Sequence, residues 1–330
     1  MNSYCTYFDH RFLDRGLAMI RSLRRFDPGC RITVLCLTEA CGQVLGRLQE
    51  PGVTSISLED FERENPDLLA IKDTRSLRDY YFTLSGCIVA SMLRDAADGQ
   101  IVTYLDADLL FYSSPAPIFA AMKDASVGLI GHRHHWWTKR LEKYGRFNVG
   151  WVSFRADAVG REAAHWWRER NIEWCYGNVD GDRFADQKYL DHIYAKFPNV
   201  VEITHPGANI GPWNVCRHSI ARGPGDSFVI DGKFPLIFVH YSGLTETEPN
   251  VYLCSNVSYL GPFSRTVRSG LYEPYIALLK RIRAELGDLP ADSVGEVRGT
   301  PPRRRRVLAP LLRLAGRWAG HYISVPQRSS

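Results

Sequence analysis

No apolar run in this sequence is long enough to cross a bilayer. The longest uncharged candidate, Tyr80 to Leu93, holds 14 residues between Asp79 and Arg94, short of the roughly 18 or more that a spanning helix needs. No C-x-x-C pair occurs among Cys5, Cys30, Cys36, Cys41, Cys87, Cys175, Cys216 and Cys254. Eight cysteines in 330 residues is not the density of a disulfide scaffold. No basic segment followed by an apolar one opens the sequence, so no signal peptide is expected. The cysteines are therefore expected as buried thiols in a reducing cytosol, where the sequon at Asn256-Val257-Ser258 has no meaning. After the first strand-like run no glycine appears until Gly16, so a glycine-rich phosphate loop is missing there. Acid is missing from Arg298 to Ser330, a stretch with eight arginines. That tail exceeds the whole net charge of +5, and leaves residues 1–297 at −3. A mildly acidic body does not suit nucleic acid, and points to a small ligand instead.

With 45% hydrophobic and 23% charged residues, the chain is no disordered polymer. Its length suits one large domain or two ordinary ones. No repeat of fixed period is found. The first hundred residues alternate strand and helix signals. Strands are expected at Asn2–Phe8, Arg31–Leu37, Val53–Leu58 and Ile101–Leu105. Between them, Leu13, Leu17, Ile20 and Leu23 recur at helical spacing, and Thr38–Gln49 and Thr74–Asp95 read as helices. This order predicts a mostly parallel sheet with helices on both faces, binding its ligand at the carboxyl ends of the strands. Further strands are expected at Val127–Gly131, Phe147–Phe154, Val200–Thr204 and Leu236–Tyr241. Helices are expected near Gly160–Arg170, Ala185–Tyr194 and Pro274–Leu286. Residues 287–302 read as a linker, and 303–330 as a basic amphipathic tail.

The sharpest chemical feature is Tyr104-Leu105-Asp106-Ala107-Asp108, where an apolar strand ends in two aspartates. Strand side chains at i and i+2 point the same way, so the carboxylates converge, and a hard divalent cation between them relieves their repulsion. The plainer reading caps the next segment with one Asp and solvates the other. Asp180-Gly181-Asp182 matches the same pattern and reads as a turn. Four other segments stand out: Phe147-Asn148-Val149-Gly150, Asp186-Gln187, the loop His205–Asn214, and His240-Tyr241-Ser242-Gly243. Taken alone, His240 reads as a core histidine and Asp186 as a helix cap.

In this order, over about residues 2 to 245, these segments resemble a family-8-type glycosyltransferase of the GT-A fold, bacterial branch. The resemblance implies an α/β nucleotide-diphospho-sugar transferase: one domain over 1–286, with a nucleotide half to about 110 and a sugar and acceptor half to 286. It implies transfer from a nucleotide-sugar donor, a UDP-hexose in the first instance, to an acceptor hydroxyl with retention, in cell-surface glycan or lipopolysaccharide synthesis. Asp106, Asp108 and His240 would hold Mn²⁺ or Mg²⁺, and an imidazole beside oxygen ligands favours Mn²⁺. Thr6, Tyr7 and Asp9 would hold the nucleoside, with Ala107 and Gly243 at the donor. Asn148, Asp186 and Gln187 would meet the transferred sugar; Gln187 is an amide and a poor nucleophile. The chain departs from the family pattern in its cations. The expected Arg before the D-x-D strand is replaced by Tyr80-Tyr81-Phe82-Thr83, leaving Arg75 or Arg78 as substitutes. Leu244-Thr245-Glu246 stands where a lysine is usual, leaving Lys72, Lys139 and Lys188 for the diphosphate.

His132–Trp137 (HRHHWW) reads equally as an acceptor platform or as a surface loop anchored by its tryptophans; Trp166, Trp167 and Trp174 read as core. Two other function classes are weighed, a sugar nucleotidyltransferase and a non-catalytic carbohydrate-binding protein. The missing glycine loop counts against the first, the metal constellation against the second. In the tail, Arg303–Arg306 precede Leu308, Leu311, Leu312, Ala315, Trp318, Ala319 and Tyr322 at helical spacing, with Arg313, Arg317 and His321 opposite. That pattern predicts an interfacial helix on an anionic membrane, placing the protein on its cytoplasmic face near a glycan or lipid-linked acceptor, with no nucleic-acid partner.

Overall fold

The computed structural model describes residues 2–255, 259, 261–287, 316–317 and 319–325. The strands β1 (Ser3–Phe8), β2 (Arg31–Cys36) and β3 (Val53–Ser57) alternate with helices α1 (Leu13–Phe26) and α2 (Glu39–Leu48). Two short helices, α3 (Leu58–Glu64) and α4 (Pro66–Ile71), precede α5 (Leu77–Arg94) and β4 (Ile101–Leu105). Then follow β5 (Leu109–Phe111), α6 (Ala116–Met122), β6 (Val127–Gly131), β7 (Phe147–Arg155), α7 (Ala158–Glu173), α8 (Tyr189–Lys196) and β8 (Val200–Glu202). The remaining elements are β9 (Ile220–Arg222), β10 (Phe228–Ile230), β11 (Phe234–Pro235), β12 (Phe238–His240), β13 (Thr245–Glu248), β14 (Val251–Leu253), α9 (Glu273–Leu286) and β15 (Tyr322–Ser324).

Seven strands form the central sheet in the order β3-β2-β1-β4-β7-β6-β8. The first four are mutually parallel, as the alternating signals require. β7 runs antiparallel to β4 and β6. β1 leads to β2 on one side and has β4 on the other, so the chain reverses its direction of sheet-building between β1 and β4. Crevices at such switch points receive ligands in open α/β sheets.

Local chemistry sets the elements. In β2, Ile32, Val34, Leu35 and Cys36 are all buried, the mark of a strand covered on both faces. α1 turns Leu13, Leu17, Ile20 and Leu23 into the core on one side of the sheet. α5 and α7 cover the other side. α5 starts at Leu77 rather than Thr74 because the Ser76 hydroxyl accepts the Asp79 N–H at 3.2 Å and caps it. α3 and α4 escaped the sequence reading because each is under two turns, and Asn65-Pro66 ends the first and starts the second. Trp167 is fully buried, while Trp166 and Trp174 are half-buried.

The tail expectation needs one correction. Residues 322–324 are a strand, β15, antiparallel to β14, not a helix. Ile323 is buried, and the His321 ring, expected on a basic outer face, is buried with its Nε2 2.6 Å from the Gly261 carbonyl. Burying Ile323 and pairing its backbone outweighs a helical spacing that Gly320 already interrupts at φ 76°. Arg303–Arg306, Leu308, Leu311, Leu312, Arg313, Ala315 and Trp318 lie outside the described residues. No helix among the described residues is long and apolar enough to cross a membrane.

Candidate active site

β4 ends at Leu105, and the chain turns through Asp106-Ala107-Asp108 into β5. β5 pairs antiparallel with β12, so Leu109 faces His240 across the ladder. The Tyr241 N–H donates to the Asp108 carbonyl at 2.9 Å. This short ladder joins residues 127 to 131 positions apart in sequence. His240 Nε2 lies 2.9 Å from Asp108 Oδ1 and 3.6 Å from Asp106 Oδ2. One donor atom from each of the three side chains falls within 4.8 Å of the others.

Two carboxylates and one imidazole, with Asp106 30% and Asp108 19% exposed, form a half-open donor set. Such a set fits a divalent ion that keeps coordination places for a ligand's oxygens. The electrostatics agree. Burial pushes Asp106 up to about 6, against the pull of His240. Burial also works to raise Asp108, but His240 and Arg15 outweigh it and hold this carboxyl below its ordinary value. Burial works against charge on His240, and Asp108 and Asp106 outweigh it, raising the imidazole. The Tyr104 hydroxyl donates to Asp106 Oδ1 at 2.9 Å and fixes that carboxylate's orientation.

Beside this centre lies a cleft of about 520 Å³, with Asp106 on its wall. Tyr7, Asn148, Asp186 and Gln187 line it too, together with Arg78, Trp213 and Tyr259. Asp186 is buried, and is a cleft residue rather than a helix cap. Its Oδ2 accepts the Ser85 hydroxyl at 2.6 Å, and burial, with Asp106 nearby, pushes it up to about 7. Gln187 Nε2 donates to the Tyr144 carbonyl at 2.9 Å, which leaves its carbonyl oxygen for a ligand. Asn148 turns its amide to His240 and His132 rather than spending it on the open cleft. Thr6, Asp9, Ala107 and Gly243 are not part of the cleft wall. The Thr6 hydroxyl is buried without a partner, and Asp9 caps the turn His10–Phe12 through the Arg11 N–H at 3.0 Å.

The structure separates the candidate cations. The Arg75 guanidinium is consumed by the Asn171 and Ile172 carbonyls and the Thr83 hydroxyl, so it is a structural residue. Arg78, one turn later, lines the cleft. Lys72 pairs with Glu62, and Lys188 with Asp191. Arg15, on the first turn of α1, acts on Asp108. The sequence reading passed over Arg15; its signal was its place just after β1, at the ligand end of the sheet. Asp180 and Arg183 close the expected turn around Gly181.

No family model matches this chain. YfnF of Bacillus subtilis (strain 168), an uncharacterised protein, is 35% identical over 251 residues, covering 73% of this chain and 81% of YfnF. YfnD of the same organism, also uncharacterised, is 31% identical over 285 residues, covering 84% and 88%. The chain belongs to the family of YfnF and YfnD. Among solved structures, the galactosyltransferase LgtC, crystallised with donor and acceptor sugar analogues, is similar with a TM-score of 0.52. That match covers 88% of this chain and 98% of LgtC at 17% identity. The chain therefore has the fold of this glycosyltransferase, the GT-A architecture that the motif order implied. In this YfnF relative the D-x-D turn, the late histidine and the D-Q pair gather at one end of that fold.

Proposed function

We propose that the chain is a metal-dependent glycosyltransferase that moves a hexose from a UDP-linked donor to an acceptor hydroxyl. The observation that carries this reading is the meeting of Asp106, Asp108 and His240 at the β1–β4 switch point, beside a cleft walled by Asp186 and Gln187. Residues 1–286 would act as the catalytic unit. A divalent ion on those three side chains, Mn²⁺ by the imidazole in its donor set, supplies Lewis acidity to a leaving diphosphate. Arg15, whose charge acts on Asp108, and Arg78 in the cleft would supply fixed positive charge to the departing diphosphate. Tyr7, which lines the cleft, would meet the nucleoside, with Thr6 and Asp9 beside it at the end of β1. The Gln187 carbonyl oxygen and a carboxyl oxygen of Asp186 would turn partial negative charge to a sugar that becomes cationic as its bond to phosphate breaks. With an amide in place of a nucleophile, the acceptor oxygen would attack on the departing face as the bond to phosphate breaks, its proton passing to the leaving diphosphate oxygen, and configuration would be retained.

The acceptor is proposed to be lipid-linked or part of a lipopolysaccharide at an anionic membrane surface. The cleft's rim supports this. The 3₁₀ helix Trp136–Tyr144 turns Leu141 and Tyr144 to the cleft and Lys139, Arg140 and Lys143 to solvent, with Trp136 79% exposed. Cations beside an exposed Trp suit a headgroup layer.

A panel of nucleotide sugars tested by thermal shift with Mn²⁺, followed by UDP release, tests the reading. A UDP-sugar should stabilise the wild type and not Asp108→Asn. Stabilisation by a free saccharide alone, indifferent to metal, would point to a lectin. Pyrophosphate release from UTP and a sugar phosphate would point to a nucleotidyltransferase.

A further inference from the structure

We infer that Asn148 is a positioning residue for His240, held in turn by His132, and that this relay fixes which imidazole nitrogen faces Asp106 and Asp108. The inference rests on the metal reading above for its consequence, but not for its geometry.

Each link is forced by the group before it. The Gly150 N–H, which only donates, lies 3.0 Å from one oxygen-position atom of the Asn148 amide. That atom is therefore Oδ1, and the amide has one orientation. Oδ1 also lies 3.1 Å from His240 Nδ1. An oxygen only accepts here, so Nδ1 carries a proton, and Nε2 is the nitrogen turned to the carboxylates: it donates to Asp108 Oδ1 at 2.9 Å in the metal-free chain and would exchange that proton for an ion. On the other side, Asn148 Nδ2 lies 3.1 Å from His132 Nε2. The amide nitrogen donates, so His132 Nε2 accepts. His132 Nδ1, 3.2 Å from the Arg146 carbonyl, then carries that ring's proton. The three side chains are buried: Asn148 5%, His132 5% and His240 4% exposed. Burial, with His134 stacked 4.9 Å away, keeps His132 neutral, as the relay requires. Trp213 stands edge-on to both rings, at 5.1 Å from His240 and 5.0 Å from His132, and blocks their rotation.

A ligating histidine held through its other nitrogen binds metal more tightly, and loss of such a partner costs about 10–100-fold in affinity. The test uses the full chain. Mn²⁺ titration calorimetry on Asn148→Leu should show at least about a tenfold weaker ion. Asn148→Asp keeps acceptor oxygens for Gly150 and His240 and should retain most of the affinity. His132→Phe should weaken the ion less than Asn148→Leu, and the double variant should be no worse than Asn148→Leu alone, since both cut one chain of contacts. Unchanged Mn²⁺ affinity in folded Asn148→Leu would overturn the inference. A second readout needs no metal. In ¹⁵N-histidine-labelled protein, His240 Nδ1–H should be an exchange-protected proton, assigned by its loss in His240→Gln, and absent in Asn148→Leu. If that proton is not protected in the wild type, the relay is wrong. If it is protected while no divalent ion binds the wild type, the relay stands and the metal reading fails.

Discussion

Gly150 lies directly against the His240 ring. A Cβ at Gly150 would stand 2.6 Å from His240 Nδ1 and 2.7 Å from Asn148 Oδ1, closer than real contacts allow. The bare α-carbon thus makes room for the imidazole that β12 delivers. Gly150→Ala is expected to cost about 1–3 kcal/mol of stability as overpacking and to weaken Mn²⁺ binding by displacing His240. Thermal melting and calorimetry read the two effects. A variant that melts like the wild type and binds Mn²⁺ equally would show that the ring yields freely.

Arg75 and Arg78 should separate cleanly. Arg75→Ala strips two carbonyls of a charged donor, and each such buried group costs about 1–3 kcal/mol when left unpaired. It should lower the melting temperature by several degrees. Arg78→Ala should leave melting unchanged and raise the KM for the donor. The opposite pattern would reverse their roles.

Asp186 sets a pH dependence of stability. Its carboxyl is raised by burial from 3.8 to about 7 in the folded chain. The native state then holds a proton that the unfolded chain has released, so stability falls as pH rises from about 4 to 7 and levels above it. Ionising this carboxyl costs up to roughly 4 kcal/mol. Asp186→Asn, which keeps an oxygen for Ser85, should melt higher than the wild type at pH 8 and about equally at pH 4, with chelator present. A wild-type advantage at pH 8 would contradict the buried, raised carboxyl.

For the membrane proposal, β15 changes the design of the test. Ending the chain near Val297 would remove the strand that pairs with β14. Replacing Arg303–Arg306 with serine leaves β15 intact, and Trp136→Ala with Lys139→Glu and Lys143→Glu alters the rim. Each cation near an anionic surface contributes about 1 kcal/mol, so both variants should co-sediment markedly less with anionic vesicles at low salt. Undiminished co-sedimentation of both would remove the membrane from the proposal.

Much of the first half was written in the order of the residues. Ile101–Leu105, apolar and β-prone but for Thr103, reads as a buried strand, and the aspartates after it had to fall at its carboxyl end. The glycines and histidine of F-N-x-G and H-x-x-G were legible as motifs because the first opens an apolar strand and the second closes one. What each polar group does was not legible, because it depends on partners far away in sequence. Asn148 faces His240 only because β12 pairs with β5, a ladder of three residues with no periodic signal. Arg75 and Arg78 sit three residues apart with the same chemistry. Only the packing of α5 on α7, which brings the Asn171 and Ile172 carbonyls to Arg75, decides that one is structural and the other lines the cleft. The tail shows the same limit. Its helical spacing was real, but burial of Ile323 and of the His321 ring, together with the strand pairing of 322–324, outweighs local periodicity once β14 supplies an open edge.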